Sequence, residues 1–291
     1  MRLKGKRVMV TGEHGFVGKH LCKRLKQEGA IISKNSCDIR NKKKVQKSIE
    51  DFRPDIIYHL AAVIDRDIDN IETTFDVNFN GTFNLLESVR KSETVSKIII
   101  MGTSDEYGVN LVPFKENQAE NPQTTYAASK VCASYLCRFY SDIIPTSIVI
   151  LRPFIIYGPG QDNDMLIPSL MRAYFNKKEF IIRSGVQKRD FIYIDDMIEA
   201  MIRAALTWKK SMTINICSGN PSKIIDVVNI MKTLTKNKIK IKEERTTTRV
   251  SDSFNRYGDP KLAEKYLNWT AETSLKIGLQ NTFNSWKKKK K

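Results

Sequence analysis

The chain has little with which to build a metal centre or a disulfide frame: three histidines and five cysteines among 291 residues, and no C-x-x-C spacing. The cysteines at 22, 37, 132, 137 and 217 read as reduced, mostly buried thiols of a reducing compartment. Long apolar runs are missing too. None approaches the ~20 consecutive apolar residues that cross a bilayer. The basic stretch Met1-Arg-Leu-Lys-Gly-Lys-Arg7 leads straight into Val8-Met-Val10 with no apolar leader between them, so a cytoplasmic protein with no membrane partner is expected. Repeats and low-complexity sequence are absent apart from Lys287–Lys291. What is present is a hydrophobic fraction of 41%, that of a globular enzyme rather than a disordered chain, and enough length for one large domain or two closely joined ones. The net charge is +17, but the lysines are scattered and five of them form the terminal run. That describes a solvated surface rather than a nucleic-acid face, and an anionic small-molecule ligand would also suit a positive cleft.

The first half alternates apolar strands with amphipathic helices: strands at Arg7–Thr11, Ala30–Ser33, Ile56–Leu60, Lys97–Gly102 and Thr146–Arg152, and helices at His20–Glu28, Lys43–Phe52, Phe75–Lys91 and Tyr126–Ser141. Such alternation builds right-handed crossovers and a parallel sheet covered on both faces, an α/β doubly wound fold. After Pro153 the texture changes, with a turn at Tyr157-Gly-Pro-Gly160 and no clear rhythm until about Arg189. Asp195–Leu206 reads as a helix and Thr213–Cys217 as a strand returning to the sheet; a helix, the alternating Ile239-Lys-Ile241 and an amphipathic end follow. We therefore expect a Rossmann domain over 1–160 and 190–218, and a smaller C-terminal α/β domain over 161–189 and 219–291.

Gly12, Gly15 and Gly18 fall between the first strand and the first helix, where a Rossmann unit sets a pyrophosphate against the helix amino terminus. Their spacing is G-x-x-G-x-x-G rather than the commoner G-x-G-x-x-G. The second strand ends in Ser33-Lys-Asn-Ser36, with Lys34 where an NAD-binding fold carries an acid for the ribose diol. That favours the 2′-phosphate of NADP, while Asp38 two residues on keeps NAD open; Asp38-Ile39 can instead orient the adenine.

Tyr126-Ala-Ala-Ser-Lys130 places a phenol and an ammonium four residues apart, on one face of a helix. A free phenol, with a pKa of about 10, is a poor base at neutral pH, but a cation held close favours its phenolate. The pair can then carry a proton to or from a sugar hydroxyl.

Taken together, Thr11-Gly-x-x-Gly-Phe-x-Gly18, His59-Leu-Ala-Ala62, Asn78-x-x-Gly-Thr82, Tyr107-Gly108, Tyr126-x-x-x-Lys130 and Arg152-Pro-Phe154 resemble the extended short-chain dehydrogenase/reductase family. The pattern is nearest to its GDP-4-keto-6-deoxy-mannose reductases and GDP-mannose 4,6-dehydratases. The resemblance implies NAD or NADP held by the glycine loop with His14, Phe16 and Val17, by Leu60, Ala61 and Ala62, and by Asn78, Pro153, Tyr126 and Lys130. It implies a nucleotide-diphosphate sugar as substrate. In that family the tyrosine is the acid or base, the lysine holds the nicotinamide ribose, and Thr103 supplies a hydroxyl to the substrate, with Ser104 beside it. Asp105 stands where the dehydratases carry a glutamate. Arg189 resembles a nucleotide contact; Arg249 would pair with the diphosphate and Asp252 with a ribose hydroxyl. By analogy, a homodimer forms through Phe75–Lys91 and Tyr126–Ser141.

Four readings follow. A 4-ketosugar reductase protonates the new alkoxide from Tyr126 while Thr103 and Ser104 hold the oxygen. A 4,6-dehydratase uses Asp105, one methylene shorter than glutamate, to take the carbon 5 proton. A 4-epimerase with tightly bound NAD is disfavoured by the Asp105-Glu106 pair and the missing second-strand acid, and a non-catalytic nucleotide-sensing module by the intact Thr103, Tyr126 and Lys130.

Overall fold

The computed structural model describes residues 2–34, 37–65, 68–161, 165–182, 185–207, 211–244 and 255–289. The expected alternation is there: β1 (Arg7–Thr11), α1 (Phe16–Gln27), β2 (Ile31–Ile32), α2 (Lys42–Phe52) and β3 (Ile56–His59) open the chain. The helix expected over Phe75–Lys91 runs instead as α3 (Ile71–Phe75), a π turn (Asp76–Asn80) and α4 (Gly81–Arg90). Then come β4 (Lys97–Met101), a 3-10 turn (Ser104–Tyr107), α5 (Thr125–Ile143) and β5 (Ser147–Pro153).

Six strands form one parallel sheet in the order β10-β5-β4-β3-β1-β2, where β10 is Ser211–Ile216. β10 pairs with β5, from Ser211 opposite Ile148 to Ile216 opposite Pro153, so the return to the sheet expected at Thr213–Cys217 is observed. The apolar runs are unbroken because both faces are buried. Val8, Val10, Tyr58, Ile99, Val149 and Leu151 join one core cluster; their alternate neighbours Met9, Ile57, Ile98, Ile100, Ile148 and Ile150 join the other, under α2, α4 and α5. The chain order reverses between β1 and β3, which opens a crevice at their carboxyl ends.

The stretch to Arg189 is more regular than its sequence. It holds β6 (Ile155–Tyr157), α6 (Leu166–Phe175), β7 (Glu179–Ile182) and β8 (Lys188–Arg189). Pro168 sits in the first turn of α6, where its missing N–H costs nothing, and β7 finds its partner far away in β12 (Lys240–Glu243), with Ile181 opposite Lys242. Neither is visible in a local pattern. β9 (Phe191–Tyr193), α7 (Ile194–Leu206), β11 (Ser222–Lys223), α8 (Ile224–Leu234), α9 (Lys261–Leu267) and α10 (Leu275–Lys289) complete the chain. Phe175 of α6 lies 5.8 Å from Phe283 and stacks on Trp286 at 6.0 Å, which docks α10 on α6. All five cysteines are free; only Cys137 and Cys217 are buried, fewer than expected, and the other three are half-buried. Among the described residues no helix is long and apolar enough to cross a membrane.

Candidate active site

The glycine loop is built for close approach. α1 starts at Phe16, not at His20 as the sequence implied, so the loop feeds directly into the helix through its N-cap, Gly15. Gly12 has φ +75, and a Cβ there would stand 2.7 Å from the Ala61 amide nitrogen; one on Gly18 would stand 2.3 Å from the Gly12 carbonyl oxygen. Only glycine lets the β1 loop, the α1 start and the end of β3 meet this closely. The first turn of α1 has no acidic residue and no side-chain cap, so its outward N–H groups and the helix dipole fit a pyrophosphate. These features suit NAD(P). Phe16 and Val17 are half-buried at the helix start, and His14 is exposed beside Glu13. Leu60, Ala61 and Ala62 line the end of β3, half-buried.

Past β2, the Ser33 amide donates to the Val8 carbonyl at 3.0 Å and Lys34 is exposed. Asp38 is exposed and held by Arg40 at 2.6 Å, which keeps its carboxyl down at about 2. Arg40, which the sequence reading passed over, is the cation paired with Asp38 in the stretch after β2. Ile39 is buried, and its carbonyl accepts from Asn84 Nδ2 at 3.0 Å.

The π turn closes on itself through the Gly81 amide and the Asp76 carbonyl, and it turns Asn78 inward, as such turns do at functional sites. Asn78 accepts from the Val63 amide at 2.8 Å and donates to the Val63 carbonyl at 3.0 Å and to Ser129 Oγ at 2.9 Å. Ser129 precedes Lys130, so this contact fixes α5 against the β3 loop. Tyr126 and Lys130 lie one turn apart on α5, 7% and 4% exposed. Burial pushes the Lys130 ammonium below its ordinary range, and the Glu106 carboxylate opposes that.

His59 bridges Thr11 Oγ1 at 2.8 Å and Thr82 Oγ1 at 3.0 Å. Burial, then the charge of Lys130, push its pKa down to about 3, so the ring is neutral at pH 7. An unfolded histidine near 6.5 takes the proton the folded one refuses. This contribution to stability is therefore complete above about pH 6.5 and is lost as pH falls toward 3. Denaturant midpoints are expected to decline over that window, and His59→Gln should flatten the decline. An acid limb of unchanged slope in the variant would assign the effect to other groups.

The 3-10 turn separates the two acids that the sequence shows side by side. Thr103 caps it: Thr103 Oγ1 accepts from the Asp105 amide at 3.2 Å, and the Thr103 amide donates to Glu106 Oε1 at 2.9 Å. Glu106 is fully buried, and its Oε2 accepts from Ser134 Oγ at 2.9 Å and Arg152 Nη2 at 2.7 Å. It therefore belongs to the core, and the reading of Asp105-Glu106 as a joint acidic feature of the site is corrected. Asp105 faces the other way, with Oδ1 3.0 Å from Arg256 Nη1.

A cleft of about 350 Å³ opens here, lined by Ser104, Asp105, Thr124, Phe154, Arg189 and Arg256. Thr124 caps α5, accepting from the Ala127 amide at 3.2 Å, so the cleft lies against the helix of Tyr126 and Lys130. Phe154 follows Pro153, the last residue of β5. Arg189 and Arg256 come from adjacent parallel segments: the Asp190 amide donates to the Arg256 carbonyl at 3.2 Å, and the Arg256 amide to the Lys188 carbonyl at 3.0 Å. Arg189 thus lines the cleft as expected, whereas Arg249 and Asp252 lie outside the described residues. The sequence reading missed Arg256; its only signal was its place just before Tyr257-Gly258-Asp259. Among the described residues no histidine, cysteine and carboxylate group could hold a metal ion.

Residues 8–217 match the model of the NAD dependent epimerase/dehydratase family. The chain belongs to that family. It is an enzyme of the nucleotide-sugar class, whose members include epimerases, reductases and dehydratases. It is 28% identical to the GDP-6-deoxy-D-talose 4-dehydrogenase of Aggregatibacter actinomycetemcomitans over 96% of this chain and 97% of that one. It is 30% identical to the UDP-glucuronate 4-epimerase of Thermodesulfobacterium geofontis, over 96% and 95%. Among solved structures, the UDP-glucuronic acid 4-epimerase of Bacillus cereus in complex with UDP-glucuronic acid and NAD superposes with a TM-score of 0.87 at 26% identity, covering 97% of this chain and 99% of that one. The family's NAD dependence agrees with the glycine loop, and the expected extended short-chain dehydrogenase/reductase fold is the one observed.

Proposed function

We propose that the protein is an NAD(P)H-dependent reductase of 4-keto-6-deoxy nucleotide-sugars, acting at carbon 4 in the supply of surface-polysaccharide precursors. The observation that carries this reading is the Asp105–Arg256 ion pair at 3.0 Å. A dehydratase needs a carboxylate at that place to take the carbon 5 proton, and protonating Asp105 would break the pair. A reductase needs no such base. The likeness to a 4-dehydrogenase of a GDP-6-deoxy sugar supports redox chemistry at the same carbon.

In this reading Gly12, Gly15, Gly18 and the α1 start hold the pyrophosphate, with Lys34 and Arg40 near the adenosine ribose. The bound cofactor supplies hydride to the carbonyl carbon. Thr103 and Ser104 hold the carbonyl oxygen by hydrogen bonds, and Tyr126 delivers its proton to the oxygen as charge develops there. Lys130 stabilises the phenolate left behind. Residues 161–189 and 219–291 form the substrate domain, in which Arg189 contacts the nucleotide and Arg249 pairs with the diphosphate. A homodimer would cover α4 and α5, where Phe83, Phe139 and Ile143 face solvent.

The test supplies NADPH or NADH with GDP-, dTDP- and CDP-linked 4-keto-6-deoxy sugars and follows nicotinamide absorbance. Oxidation with one of them is expected; none with any would sink the reading. The second reading, a 4-epimerase, is favoured by the 30% identity to a UDP-glucuronate 4-epimerase. It predicts NAD(H) that stays with the purified protein, which a reductase exchanging its cofactor at each turnover would not retain. For the cofactor itself, Lys34→Asp is expected to shift the kcat/KM ratio toward NADH by about tenfold, the scale of one charge-assisted contact; an unmoved ratio would remove Lys34 from the ribose site.

A further inference from the structure

We propose that Asp105 and Arg256 form a charge filter that admits nucleotide-sugars with an uncharged sugar and rejects those with a carboxylate at carbon 6. The inference rests on the reading of the cleft as a nucleotide-sugar site and adds what that site selects. The pair joins the two sides of the cleft. Asp105 comes from the turn that carries Thr103 and Ser104, Arg256 from the segment beside Arg189, and the two side chains are 17% and 19% exposed. Both line the cleft. A sugar bound against the Ser104 turn therefore meets an acceptor and a donor already joined to each other.

A neutral sugar satisfies both, because each hydroxyl can donate to the Asp105 carboxylate and accept from the Arg256 guanidinium. A sugar carboxylate can only accept. Whether it takes Arg256 N–H groups outside the pair or pulls Arg256 away from Asp105, it brings its charge close to the Asp105 carboxylate, like on like with little water between. A guanidinium alone in this place would recruit a carboxylate by a forked contact; Asp105 turns that recruiter into a discriminator, by the repulsive element that specificity commonly needs. Arg189, from the neighbouring segment, lines the same cleft.

The test is a binding measurement and needs no turnover. Calorimetric titration would compare UDP-glucose with UDP-glucuronate and GDP-mannose with GDP-mannuronate, pairs that differ only at carbon 6, in the wild type, Asp105→Asn, Asp105→Glu and Arg256→Leu. The wild type is expected to bind the neutral member of at least one pair about tenfold more tightly or better, one close like-charge contact at the edge of a protein being worth at least that. Asp105→Asn, isosteric and uncharged, should bring the two members within about threefold or invert their order. Asp105→Glu should keep the wild-type preference. Arg256→Leu, which leaves the carboxylate without this partner, should keep or widen it. Equal or tighter wild-type binding of the acids, or a ratio unmoved by Asp105→Asn, would overturn the filter alone. Absence of binding by all four compounds in every protein, with each variant melting as the wild type does, would overturn the sugar-site reading and the filter with it.

Discussion

Tyr126→Phe is expected to lower turnover by about 10²–10⁴-fold, the ordinary yield of a positioned general acid or base, while affinity for the nicotinamide cofactor stays near that of the wild type. The separation follows from where the atoms sit. The substitution removes one oxygen and leaves a ring of nearly the same volume at a position that is 7% exposed on α5. The backbone contact that anchors this turn, Ser129 Oγ donating to the Tyr126 carbonyl at 2.8 Å, does not involve the phenol. Neither do the Asn78 contacts that hold Ser129 and the Val63 loop. The cofactor cradle of Gly12, Gly15 and Gly18 belongs to another element altogether. Single-turnover rates with saturating cofactor, beside fluorescence titration of the cofactor, read the two effects separately. Near-wild-type turnover in the variant would remove Tyr126 from the chemistry in every reading of the site, since reductase, epimerase and dehydratase alike pass a proton at this oxygen.

What could be read in the sequence was what is encoded locally. The glycine loop showed itself because three glycines between a strand and a helix answer to one backbone problem, the close meeting of Gly12 with Ala61 and of Gly18 with the Gly12 carbonyl. The parallel sheet showed itself because strands buried on both faces lose their polar alternation. Tyr126 and Lys130 were linked by helix spacing alone. What stayed hidden depends on distant pairing. β7 and α6 make sense only with β12 and α10 in place, and the chain between Gly160 and Arg189 accordingly looked irregular. The π turn at Asp76–Asn80 has no composition of its own; its signature is Asn78 turned inward to Val63 and Ser129. The two neighbouring acids were the most misleading feature. A 3-10 turn sends adjacent side chains in different directions, so Glu106 enters the core and Asp105 the cleft, with a partner in Arg256 that is 151 residues away.

That hidden core role of Glu106 leads to the second large effect, on stability. Glu106 and Arg152 are both fully buried. Arg152 also reaches Glu120 Oε1 at 2.6 Å and lies over the Tyr107 ring at 4.7 Å, and its Nη1 has no hydrogen-bond partner among the described residues. Glu106→Leu would leave this guanidinium in the core with Glu120 as its remaining ion-pair partner among the described residues. It would also strip the Thr103 amide and Ser134 Oγ of their acceptor. Breaking a buried pair from one side costs about 3–5 kcal/mol, and with Glu120 remaining the lower end is expected, a fall in Tm of about 5 °C for a chain of this size. Arg152→Leu alone should cost as much, since it leaves the Glu106 carboxyl buried without its guanidinium partner, between Ser134 and the Thr103 amide. The double variant should lose less than the two singles added together, because it removes both charges at once and puts apolar volume in their place. Thermal melts of all four proteins close the cycle. A Glu106→Leu variant within about 1 kcal/mol of the wild type would mean that the turn carrying Thr103 is held by its backbone alone, and strict additivity in the double would mean that Glu106 and Arg152 do not stabilise one another.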